Sequence, residues 1–188
     1  EGTQVPVETS FYIIIEGTND APTVADVQVN SPENDVDGVT ANFLGDDVDN
    51  DNSSLTYTIT DDPGENQGTV VNNGDGTFTF NPGADFEELS VNESREVSFT
   101  YTANDGVAPS EEATVTILVD GSNDKPTVSD ISFGTSEDSI SSKKIFTGND
   151  IDSDDDASSL NYEIVDAPSK GQVNFNQDGT FQFDPNGE

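Results

Sequence analysis

Asp75-Gly76-Thr77-Phe78-Thr79-Phe80 begins with a turn dipeptide and continues as a strict alternation of threonine and phenylalanine. Asp-Gly favours tight β-hairpin turns, and a period of two sends both phenylalanines to one strand face and both threonines to the other. The stretch returns as Asp178-Gly179-Thr180-Phe181-Gln182-Phe183. Phe99 and Tyr101 likewise share a face, with Thr100 and Thr102 opposite. Aromatics are therefore expected in a thin β core and threonines in water, where β-branched residues are ordinary. A threonine row is also the composition of an ice- or sugar-binding face, and the pattern alone leaves that alternative open.

Working outward, the chain repeats itself. Ala21-Pro22-Thr23-Val24-Ala25-Asp26 recurs as Lys125-Pro126-Thr127-Val128-Ser129-Asp130, 104 residues on. Gly45-Asp46-Asp47-Val48-Asp49 recurs as Gly148-Asn149-Asp150-Ile151-Asp152, and Ser53-Ser54-Leu55-Thr56-Tyr57 as Ser158-Ser159-Leu160-Asn161-Tyr162. Residues 11–20 parallel residues 115–124, which places residues 1–20 as the last strand and linker of a preceding repeat. Residues 21–124 then form a complete repeat and residues 125–188 a second one that stops short. Alternation bounded by Asn, Asp, Gly and Pro predicts strands near 22–30, 38–45, 54–60, 68–72, 76–81, 95–104 and 112–119. Seven short strands in about 100 residues suit an all-β, immunoglobulin-like sandwich. Residues 5–15 read as an orphan strand, and the shortened repeat as an open sheet edge, a pairing that invites head-to-tail strand exchange between molecules.

Asp and Glu number 39 against 5 Lys plus Arg, a net charge of −34. A compact state of that charge repels itself unless counter-ions bind, so cations are the first partners to expect. Nucleic acid and an anionic membrane surface are excluded as partners for want of a basic patch. Cys and His are both absent, which removes disulfides and leaves only oxygen ligands for a metal. No apolar run approaches a membrane span, the longest being residues 11–15. No nucleophile–base motif is present, and acids recurring in each repeat behave as structural sites do, so the chain is not expected to be an enzyme.

Calcium takes six to eight hard oxygens, from carboxylates, amides and carbonyls. Such groups concentrate in Glu16, Asn19 and Asp20, in Glu33, in Asp47, Asp49 and Asp51, and in Asp105. The second junction offers Asp120, Asn123, Asp124, Glu137, Asp150, Asp152 and Asp154. The inter-repeat segment, the loop before the third strand and the loop after the sixth are expected to meet at one end of the sandwich. The competing reading is a solvated acidic surface, and it is the one applied to Glu87, Glu88, Glu93, Glu111 and Asp166, which no repeat partner or motif places at a junction. An EF-hand starting at Asp47 fails, since it would need Gly at Asn52 and Glu at Thr58.

These residues resemble the cadherin superfamily, particularly the bacterial cadherin-like repeats (VCBS or Bap-like) of large RTX-type adhesins. Residues 16–22 are similar to the linker D-x-N-D-N-x-P, Pro32-Glu33-Asn34 to the PEN element, Asp47-Val48-Asp49 to D-x-D, and Ala103-Asn104-Asp105-Gly106 to A-x-D-x-G. Thr135-Ser136-Glu137 replaces PEN in the second repeat, and the mid-domain D-R-E element is not matched. The resemblance implies tandem cadherin-like Greek-key sandwiches with calcium between adjacent repeats. It also implies an extracellular spacer on a bacterial cell surface, serving adhesion and biofilm formation. A sandwich module that itself recognises carbohydrate or peptide is the alternative.

Overall fold

The computed structural model describes residues 2–4, 6, 8–156 and 158–186. In the first module β1 (Thr23–Val24), β2 (Val27–Pro32), β3 (Val39–Asn42) and β4 (Gly45–Asp46) are followed by a 3-10 turn at Asn52–Ser54. Then come β5 (Thr56–Asp61), β6 (Thr69–Asn72), β7 (Thr77–Asn81), β8 (Ser94–Asn104) and β9 (Ala113–Asp120). One sheet has the order β2-β9-β8-β5, the other β3-β7-β6, and β1 pairs with β4. All pairings are antiparallel except β2 with β9, which run parallel from Val27↔Val115 to Pro32↔Asp120.

The aromatic faces meet between the sheets as the alternation predicts. Phe78, Phe80 and Tyr101 are fully buried, with Phe99, Val115, Ile117 and Val119 beside them. Phe78 meets Phe99 edge-on at 5.1 Å between ring centroids, a favoured geometry for aromatic pairs. Thr40 and Thr79 join hydroxyls across the outer face at 2.9 Å, as do Thr60 and Thr100 at 2.7 Å. Two of the predicted strands are each broken in two, at Ala25-Asp26 and at Phe43-Leu44. The Tyr101 hydroxyl sits at both breaks, donating towards the Ala25 carbonyl at 2.7 Å and accepting from the Leu44 amide at 3.1 Å. The first strand thereby leaves the sheet of β4 and joins that of β9, a switch that local alternation cannot encode.

The second module contains β10 (Thr127–Val128), β11 (Lys144–Ile145), β12 (Gly148–Asn149), β13 (Gln172–Phe175) and β14 (Thr180–Asp184). Their pairings, β10 with β12 and the order β11-β14-β13, repeat those of β1, β4, β3, β7 and β6. Residues 131–136 and 161–166, which align with β2 and β5, are not in strands. In the first module those segments pair with β9 and β8, whose counterparts do not occur within residues 125–186. Phe181 is 5% exposed, but Phe133 is 37% and Val165 87%. Stability follows buried apolar surface, so amide exchange across residues 127–184 is expected to run orders of magnitude faster than in β8 and β9. Equal protection in the two modules, read by mass spectrometry, would refute that expectation.

The strand expected over residues 5–15 does not form among the described residues, and Val5 and Val7 lie outside them. Phe11 to Ile15 are 75 to 92% exposed. Their counterpart β9 is held between β2 and β8, and a strand without such neighbours has no ladder to join.

Candidate metal centre at the module junction

Strand direction decides which acids meet. Because β2 and β9 run parallel, their C-terminal ends finish together, at the pole opposite residue 20. Glu33 therefore joins the second linker rather than the first cluster, a correction to the grouping read from repeat order. Its main-chain N–H donates to the Asp120 carbonyl at 3.0 Å. Its Oε1 accepts from the Ser122 amide at 2.6 Å and the Ser122 hydroxyl at 2.9 Å. Glu137, the repeat counterpart of Glu33, is exposed.

At the same pole the Asp124 amide donates to Asp152 Oδ2 at 2.8 Å, and the Asp152 amide to Asp150 Oδ1 at 3.2 Å. Asp150, Asp152 and Asp155 each place a carboxylate oxygen within 4.8 Å of the others. Asp154 is exposed, and Asp155 takes the third position instead. Asn123 donates its side-chain amide to the Asp124 carbonyl and, with Asn34, Glu87 and Asp124, lines an open cleft. Asp120 contributes its carbonyl oxygen, while its side chain is exposed.

Glu87 was legible only as surface charge, yet it faces this cleft. Burial raises its carboxyl above the usual range, and the charges of Asp124 and Glu33 push it further the same way. The available signal was Asp85-Phe86-Glu87, whose two acids have the spacing of the outer residues of D-R-E. Glu88 and Glu93 are also at the junction, through contacts with Ser153.

The first linker gathers a similar set at the other pole. Asn19 donates to Asp105 Oδ2 at 2.8 Å and the Asp20 amide to Asp49 Oδ2 at 2.7 Å. Asp47 Oδ1 accepts from the Asp49 and Asn50 amides, each at 2.8 Å. The Ala108 and Val107 amides, with Asn19, hold the Asp105 carboxyl below its ordinary range. Asp51 is occupied otherwise: its Oδ1 caps the 3-10 turn, accepting from the Ser53 amide and hydroxyl. Glu16 is exposed.

Among the described residues, the buried side-chain polar atoms without a hydrogen-bond partner are Glu33 Oε2, Asp47 Oδ2, Asp124 Oδ2 and Asp152 Oδ1. Glu33 is 1% exposed and Asp152 3%. A buried carboxylate oxygen left unpaired costs several kcal/mol unless a proton or cation meets it. Three of these four atoms belong to the second junction, and all are hard donors of the kind calcium or magnesium takes. The donor set fits a hard divalent cation.

A complete β-sandwich module joined by a short linker to a second module of the same strand pairings, with acids gathered at both ends of the first, defines a tandem cadherin-like and immunoglobulin-like array. Residues 19–121 match the family model described as bacterial cadherin-like domain, and residues 123–188 that described as bacterial Ig domain. The chain belongs to the bacterial cadherin-like domain family. Such modules occur in surface proteins and are structural as a class. Among the described residues no helix is long and apolar enough to cross a membrane. Similar solved structures include human CDH23 EC21-23, at 19% identity and TM-score 0.49, covering 87% of this chain and 55% of that one. The third cadherin domain of human protocadherin 7 matches at 18% identity and TM-score 0.42, covering 58% of this chain and 93% of that one. Protocadherin Gamma B7 extracellular cadherin domains 1-4 match at 18% identity and TM-score 0.42, over 87% of this chain and 40% of that one. The chain thus spans about half or less of these two multi-domain structures. No curated protein matches the chain.

Proposed function

We propose that this chain is a spacer segment of a bacterial surface adhesin, stiffened by calcium bound between consecutive modules. The observation that carries the reading is that Glu33 Oε2, Asp124 Oδ2 and Asp152 Oδ1, from the end of β2, the linker and the following module, are all buried and unpaired, with Glu33 held on the linker at Ser122 and Asp152 on it at the Asp124 amide. A divalent ion there turns repulsion among carboxylates into cross-links between two modules. Glu33 and Glu87 supply the first module's side, Asp124 the linker, and Asp150, Asp152 and Asp155 the second module's side. At the other pole Asp20, Asp47, Asp49 and Asp105 would serve a preceding module in the same way. Holding an adhesive segment away from the cell, in cell adhesion and biofilm formation, is the role such a rod would serve.

Small-angle scattering tests the stiffening. In millimolar calcium the chain is expected to show a narrow distribution of end-to-end distances, and in excess EDTA a broader one. An identical profile in both conditions would leave the fold standing and remove the stiffening.

A further inference from the structure

We propose that the loop between β7 and β8 and the aspartate loop of the second module form a direct serine–glutamate latch, which tethers the two modules without ions, calcium narrowing the junction further. The Ser153 amide donates to the Glu88 carbonyl at 2.9 Å. The Ser153 hydroxyl donates to Glu93 Oε2 at 2.6 Å and lies 2.9 Å from the Ser90 hydroxyl. The Asp154 amide donates to Ser90 Oγ at 3.1 Å. Since Ser153 spends its proton on Glu93, Ser90 is the donor between the two hydroxyls. A continuous chain of donors therefore runs from the Asp154 amide through Ser90 and Ser153 to the Glu93 carboxylate, crossing three times between modules.

The first-module side of the latch is a fixed platform. Ser90 is 2% exposed, and Glu93 Oε2 also accepts from the Ser90 amide at 3.1 Å. Arg95 ties down Glu88 at 2.5 Å with its guanidinium 5.6 Å from the Phe86 ring centre. The linker lies directly on this loop: a Cβ at Gly121 would stand 2.5 Å from the Leu89 carbonyl oxygen. The serine belongs to the second module alone. Its counterpart after Asp49 is Asn50, and the loop from Asp152 to Ser158 is two residues longer than that from Asp49 to Ser53.

The latch is independent of the calcium reading, and one experiment separates them. Amide exchange and inter-module distance distributions are measured on the full chain in excess EDTA, for the wild type, Ser153→Ala and Ser153→Thr. Removing the Ser153 hydroxyl breaks both the Ser90–Ser153 and the Ser153–Glu93 hydrogen bonds, so exchange of the Ser153 and Asp154 amides is expected to accelerate about tenfold or more, with wider distances. Ser153→Thr restores the hydroxyl and should recover both readouts. The latch is overturned if those amides are unprotected in the wild type in EDTA, or if Ser153→Ala matches it. Both are read without calcium, so an absent response to calcium would count against the stiffening alone.

Discussion

Calcium at one hundred times its dissociation constant is expected to raise the unfolding temperature of this chain by about 10–20 °C over its value in EDTA. Binding confined to the folded state contributes about 2.7 kcal/mol at that ratio, and 1 kcal/mol moves the transition of a domain this size by about 4–8 °C. Asp152→Asn separates this account from a merely acidic surface. In EDTA the variant is expected to melt slightly higher than the wild type, because one charge leaves a crowded cluster around Asp124 and Asp150. In calcium it should melt lower, with affinity down about tenfold or more, equivalent to about 1.4 kcal/mol. A solvated surface predicts a rise in both conditions. Differential scanning calorimetry with and without calcium reads the sign.

Phe78→Ala is expected to cost the first module about 3–5 kcal/mol, the range for emptying a buried phenylalanine site. Phe78 has no exposed surface and is packed by Phe43 and Phe99, each 5.1 Å away between ring centroids. That loss is a large share of the about 5–15 kcal/mol by which domains are stable. Thr79→Ala, one residue along on the outer face, should change stability by less than about 1 kcal/mol. Chemical denaturation followed by tyrosine fluorescence measures both, and equal losses would place the core on the wrong side of β7.

The sequence pattern carried the strands, their inward residues and the 104-residue register, because alternation and repetition are local signals. Which pole an acid occupies was not local. Glu33 follows Pro32 in the chain, but its neighbours are Asp120 and Ser122, brought there by the parallel β2–β9 pairing. Glu87, Glu88 and Glu93 looked like surface charge, since the contacts that place them at the junction come from the linker and the second module. Asp51 looked like a ligand, whereas Ser53 two residues on makes it a cap. The breaks at Ala25 and Leu44 depend on Tyr101, distant in the chain and delivered by folding. The apolar run at residues 11–15 reads as a strand by its repeat match to β9, but the sheet partners that hold β9 have no counterparts beside it among the described residues.

A crystal structure grown in calcium addresses the central claim most directly. The account predicts density between the modules within about 2.3–2.6 Å of oxygens from Glu33, Asp124 and Asp152. A gap filled only by water, with those three side chains directed apart, would contradict it.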